Sequence, residues 1–243
     1  MNETSRGSRG GRRRALILAA AVAGIAVLAA CGSSSSPGTQ ASAHVYWANN
    51  NTIGRANLNG TGAIPHFISV RRARMVAVTS RCIYWASSNN TIGRANLNGT
   101  GANPRFITGA SGPVGVAVNS RYVYWANNHT IGRADLNGTG INQRFITGAS
   151  GPSGLAVSSH YIYWANEYTN RIGRANLDGT GVNQRFITGA DSPDALAIDS
   201  KHVYWANFGI GTIGRANLNA TGVNQRFLIT HSHPGGVAVA FGR

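Results

Sequence analysis

All five tryptophans of the chain stand in one motif: Tyr46-Trp47, Tyr84-Trp85, Tyr124-Trp125, Tyr163-Trp164 and Tyr204-Trp205. Successive tryptophans are 38, 40, 39 and 41 residues apart. A period of about 40 residues belongs to propellers and solenoids, in which each unit buries its faces against the next. Each unit has the same four parts: "VYWA" (123–126), "TIGRANL" (91–97), "QRFI" (143–146) and "GVAV" (115–118). These are short β-branched and aromatic runs bounded by Gly, Asn, Ser or Pro, the signature of strands. "NLNG" (96–99) places an Asn-Gly step between two such runs, as a hairpin turn requires. The 32 glycines among 243 residues supply turns of this kind throughout.

Four strands per unit predict an all-β fold, a β-propeller of four-stranded blades. A wide, flat side chain is then needed at the same height in every blade. An aromatic ring buries roughly 150–250 Å², or roughly 4–6 kcal/mol before entropy is counted. The array opens on a "YWA" strand and closes on "GVAV" (236–239). Five "GVAV"-type strands, beginning near Met75, Gly115, Gly154, Ala195 and Gly236, match five "YWA" strands. The expectation is a domain over 44–243 with five blades, closed by pairing of its first and last strands so that no edge stays open. A six-bladed or incomplete ring is the alternative.

These repeats resemble the YWTD repeat, the class B repeat of low-density-lipoprotein receptors. The resemblance lies in "YWA", "IGRADLNGTG" (131–140), "RFIT" and "GPSGLAV" (151–157), and covers about 200 residues. It implies a propeller, usually six-bladed, that binds proteins without catalysis. The Thr-Asp of that family is here Ala-Asn (Asn49, Asn127, Asn166, Asn207) or Ala-Ser (Ser87). The resemblance assigns the family's Asp to hydrogen bonds between blades, a role Asn can fill without charge.

The first residues read as an export signal. "RGSRGGRRR" (6–14) is a basic region, "ALILAAAVAGIAVLAA" (15–30) an apolar one, and "LAAC" (28–31) resembles the lipobox of bacterial lipoproteins. That resemblance implies cleavage after residue 30, lipid on Cys31, a linker over 31–43, and a mature protein anchored outside a bacterial membrane. An ordinary signal peptide or a membrane anchor containing a cysteine is the alternative. Loss of residues 1–30 removes five arginines and Glu3, so the formal charge falls from +15 to +11. A basic exported protein suits anionic envelope components or a protein partner; nucleic acid is a poor candidate for an exported protein, and none is expected. Cys82 is left alone and reads as a small buried hydrophobe.

Residues repeated in every unit are expected to be structural: Trp47, Trp85, Trp125, Trp164 and Trp205, with Arg55, Arg94, Arg133, Arg174 and Arg215. Those arginines read as packing groups, the other reading being a cationic ring. A second series, His66, Arg105, Arg144, Arg185 and Arg226, reads as a solvated outer edge. Function is sought where units differ, in the loops after "YWA" and before "GVAV". Both leave an up-and-down blade on the same side. That face would gather Arg71, Arg72, Arg74, His129, Glu167, Tyr168, Arg171, Asp191, Asp194, Phe208, His231 and His233. No nucleophile elbow, phosphate loop or zinc spacing is present, and no cofactor or metal is expected. The first reading is a lipid-anchored, non-catalytic binding module. The alternatives are a propeller hydrolase, lactonase or lyase acting in the channel, or a structural spacer. Catalysis would draw on Asp191, Asp194 and Asp199, with His231 or His233.

Overall fold

Short β-branched runs between Gly and Asn turns produce an all-β propeller. The computed structural model describes residues 25–27 and 44–239. The expected leader, apart from 25–27, lies outside the described residues, as do Cys31 and the linker. The first sheet has six strands in chain order: β1 (Ile25–Val27), β2 (His44–Asn57), β3 (Ile64–Val78), β4 (Cys82–Ser87), β5 (Thr91–Asn96) and β6 (Asn103–Thr108). Three four-stranded sheets follow. The second holds β7 (Val116–Val118), β8 (Tyr122–Ala126), β9 (Thr130–Asp135) and β10 (Asn142–Thr147). The third holds β11 (Pro152–Val157), β12 (Tyr161–Asn166), β13 (Arg171–Asn176) and β14 (Asn183–Thr188). The fourth holds β15 (Pro193–Ile198), β16 (His202–Asn207), β17 (Thr212–Asn217) and β18 (Asn224–Ile229). Every neighbouring pair is antiparallel.

The expectation of five separate blades is corrected: five sequence units are distributed over four sheets. The cause is local. Units three and four are preceded by "TGASGP", where Gly109, Gly112, Gly148 and Gly151 turn the chain with φ of 76°, 57°, 78° and 57°. The second unit has "SVRRAR" (69–74) instead, with no glycine to break the strand. The chain therefore runs from the outer part of the first unit straight into the inner part of the second as β3. Within β3 only Arg72 has a positive φ, 53°. The first unit's "YWAN" and "TIGRAN" are likewise joined in β2.

Closure by the last strand is also corrected. Residues 233–239 form no strand. In the full, uncleaved chain the place beside β2 is taken by β1, with Ile25 opposite Trp47 and Val27 opposite Val45. This is the register of Val116 opposite Trp125 and Val118 opposite Val123. The sequences explain the competition: Ile25-Ala26-Val27 and Val237-Ala238-Val239 carry the same pattern.

Trp85, Trp125, Trp164 and Trp205 are fully buried, and Trp47 is half-buried. Trp85, Trp125, Trp164 and Trp205 each lie against a glycine of the next strand, as Trp164 does against Gly173, and Trp47 lies against Gly54 of its own strand. Four buried core clusters join residues of successive units; in one, Tyr124 and Ala126 pack with Trp164 and Ala175. Tyr46 and Tyr84 add a tie, their hydroxyls donating to the Leu97 and Leu136 carbonyls one unit further on.

Candidate functional site

The register fixes which loops share a face. In the third sheet Pro152 pairs with Asn166, Asn166 with Arg171, and Arg171 with Thr188. The loops after "YWAN" and before the inner strand thus leave the sheet at one end. The fourth sheet repeats this with Pro193, Asn207, Thr212 and Ile229. His129, Glu167, Tyr168, Arg171, Asp191, Phe208, His231 and His233 stand in or beside these loops.

They do not form one cluster. The charges of Glu167 and Arg74 act on the Asp194 carboxyl, and Arg74 and Asp194 directly precede Met75 and Ala195 of the channel wall. Burial, reinforced by the Glu167 charge and opposed by Arg74, pushes the Asp194 carboxyl up to about 6. Phe208 and His233 form a second group. Their rings stack at 5.0 Å and 28°, and His233 Nδ1 lies 2.7 Å from the Phe208 carbonyl oxygen. Tyr168 is 73% exposed in a 3₁₀ turn (Glu167–Thr169), its ring over Gly151. Asp191 braces its loop: its N–H donates to Asn207 Oδ1 and its carbonyl accepts from the Gly209 N–H. Arg71 and Arg72 lie apart on β3, where the Arg71 carbonyl accepts from the Ser87 hydroxyl. His129 and His231 are exposed. Among the described residues no three of His, Cys, Asp and Glu converge on a metal-sized site.

The channel itself, a cavity of about 240 Å³, is walled by the inner strands and by Gly236, Val237 and Ala238. Met75, Val116, Leu155 and Leu196 face it. Asp199 is not at the Asp194 end of the channel. It follows the far end of β15, where it accepts from the N–H groups of Lys201 and His202 and the Tyr204 hydroxyl. Burial alone would raise its carboxyl, but those bonds outweigh burial and hold it below the usual range.

The repeated arginines are engaged. Arg55, Arg94, Arg133, Arg174 and Arg215 lie 4.3, 5.1, 4.0, 4.1 and 4.2 Å from the centroids of Phe67, Phe106, Phe145, Phe186 and Phe227. Arg133 and Arg174 also donate to the Leu177 and Leu218 carbonyls of the following sheet. His66, Arg105, Arg144, Arg185 and Arg226 are exposed.

One series escaped the sequence reading. Gln143, Gln184 and Gln225 accept from the indole N–H of Trp125, Trp164 and Trp205, at 3.0, 2.9 and 3.0 Å. Their amide nitrogens donate to the Thr108, Thr147 and Thr188 carbonyls of the preceding sheet. These glutamines, rather than the "YWAN" asparagines, tie the last three units together. Asn127, Asn166 and Asn207 act within their own sheet: each accepts from the loop N–H of Ser111, Ser150 or Asp191 and donates to a Gln carbonyl. The signal was visible, since "QRF" recurs three times and gives way to "PHF" and "PRF" in the first two units. Gln184→Ala should cost about 1–3 kcal/mol, because the buried Trp164 N–H would lose its acceptor. Urea melts of the two proteins measure this difference.

No protein-family model matches the sequence, and a search of curated proteins finds no match. Solved structures do match. A propeller of YWTD type in a nidogen/laminin complex superposes with a TM-score of 0.74 at 20% identity, over 89% of this chain and 84% of that one. A gluconolactonase from Xanthomonas campestris gives 0.61 at 13% identity, over 75% and 71%. A catalytically inactive virginiamycin B lyase from Staphylococcus aureus, bound to quinupristin, gives 0.60 at 22% identity, over 76% and 66%. At these identities the likeness is one of fold. The fold serves both a binding complex and enzymes.

Proposed function

We propose that this chain is a lipid-anchored binding propeller that takes a protein partner or an anionic envelope component through its variable-loop face. The observation that carries the reading is the contrast between channel and face. The channel wall is apolar, the charges acting on the Asp194 carboxyl are those of Glu167 and Arg74, and the neighbouring Ser153 hydroxyl is engaged as a donor to the Pro193 and Asp194 carbonyls. The face instead displays exposed Tyr168 and Phe208 between charged residues, the composition of a recognition surface. The resemblance to YWTD repeats and the nidogen/laminin likeness point the same way.

A photo-crosslinker at Tyr168 in intact cells, compared with one at Asn98 on the opposite turns, tests the reading. A partner captured from Tyr168 and absent from Asn98 supports the face. Capture from Asn98 alone moves the interface, and capture from neither leaves the spacer reading in its place. Asp194 favours a second reading, because a carboxyl near 6 suits acid–base chemistry. Turnover of a lactone that disappears in Asp194→Asn would replace binding by catalysis. For the anchor, Cys31→Ala should abolish incorporation of labelled fatty acid and release the protein from the membrane fraction.

A further inference from the structure

The first sheet contains a cleft of about 580 Å³ lined by Ser69, Val70, Arg71, Ser87, Asn89, Thr91, Pro104 and Arg105. Its position is explained by the glutamine series. In the second sheet Gln143 fills the corresponding space, touching the Trp125 indole, the Thr108 carbonyl, Asn127 and Thr130. The counterparts of these residues in the preceding unit are Pro104, Trp85, Ser69, Ser87 and Thr91. Four of those five line the cleft; the fifth, Trp85, is wholly buried and pairs with Val76 and Gly93 in the same sheet. Gln has become Pro and Asn has become Ser, so two side chains shrink in one unit. The Trp85 indole N–H is fully buried and has no hydrogen-bond partner among the described residues, whereas Trp125, Trp164 and Trp205 each have one. A buried donor left unsatisfied destabilises the fold, so a ligand group that comes within reach of it gains free energy by accepting its hydrogen bond.

We infer that this cleft is a recognition pocket for a partner's Gln or Asn side chain flanked by acidic residues. The chain shows three times which group fits there: a carboxamide whose oxygen accepts from the indole N–H and whose nitrogen donates to the preceding sheet's carbonyl. The rim supplies the rest. Arg71 and Arg105 line the cleft, Arg72 lines a cavity sharing Val70, Arg71 and Asn89 with it, and no acidic residue lines either. Guanidinium forks bind carboxylates in bidentate fashion. This deepens the binding reading by naming the chemistry that one part of the face selects.

The test is titration of the full chain with acetyl-Glu-Gln-Glu-N-methylamide, read on the five tryptophan indole ¹H–¹⁵N signals. Trp85→Phe assigns the relevant one. The Trp85 signal is expected to move toward those of Trp125, Trp164 and Trp205, while acetyl-Glu-Leu-Glu-N-methylamide leaves it in place. Pro104→Gln should shift the Trp85 signal without peptide and abolish the response, the pocket being filled from within. Arg71→Ser with Arg105→Ser should weaken binding about tenfold, the scale of a charge-assisted pair, with the other four indole signals unmoved. A Trp85 signal that ignores the Gln peptide, responds equally to the Leu peptide, or still responds in Pro104→Gln overturns the pocket. Capture from Tyr168 in the crosslinking experiment would then survive, so the two proposals fail separately.

Discussion

Gly173→Ala is expected to lower stability by about 3 kcal/mol, at the upper end for overpacking of a tight core. Gly173 lies opposite Trp164 in the β12–β13 pair, and a Cβ there would fall inside the envelope of the indole carbons Cε2 and Cζ2. The ring cannot retreat. Trp164 is wholly buried, its N–H is held by Gln184, and Ala117, Leu155 and Tyr124 pack in the same cluster. The backbone cannot retreat either, because Gly173 sits between two strands at a register shift against β14. For a domain of about 200 residues the loss corresponds to a fall in Tm of about 6–12 °C. Gly60→Ala separates crowding from backbone strain. Gly60 has φ 80° but nothing within 4 Å of its Cβ position, so only the left-handed penalty applies, about 1 kcal/mol. Calorimetry on both variants decides; equal losses would mean that ring contact is not what requires glycine in "IGR".

The same residues show what could be read from sequence. The Tyr-Trp pairs and the four strand parts were legible because burial against a neighbour imposes one pattern on every unit. The shared end of the two variable loops followed from antiparallel pairing alone. The number of sheets was not legible, because it turned on the strand breakers missing from "SVRRAR" and on Arg72 turning at φ 53°. The inner strand of the first unit was not legible either. Residues 25–27 read as part of an apolar leader, and an apolar β-branched triplet is also what the innermost strand of a blade needs. The glutamine ties demanded attention to a departure: Pro65 and Pro104 where other units have Gln. Repeats disclose what all units need, whereas the Trp85 cleft arises where one unit lacks it. The mouth group joining Arg74, Glu167 and Asp194 brings together residues up to 120 positions apart, and no local pattern marks it.

Asp194→Asn is expected to remove a pH dependence of stability and to stabilise the chain at neutral pH. The folded carboxyl titrates at about 6, above its ordinary value of 3.8, chiefly because burial penalises the charged form. Between about pH 4 and pH 6 the native chain therefore holds a proton that the unfolded chain has released. Stability falls as pH rises through that window and is level above it. The gap corresponds to roughly 2–3 kcal/mol. The asparagine variant has no proton to hold, so its advantage over wild type should grow from near zero at pH 4 to that amount above pH 6. The difference between the two proteins isolates Asp194 from every other ionisable group, since those are the same in both. Arg74→Ser should extend the upper edge of the window, since it removes the cation that favours the charged carboxylate in the folded chain. Urea unfolding at pH 4.5, 5.5 and 7 measures all three proteins. Parallel pH curves for wild type and Asp194→Asn would show that the carboxylate is solvated and carries no penalty. A diverging pair would show that the chain sacrifices stability to keep a charge at the mouth of an apolar channel. Arg74 offsets only part of that cost, since the carboxyl stays raised in its presence.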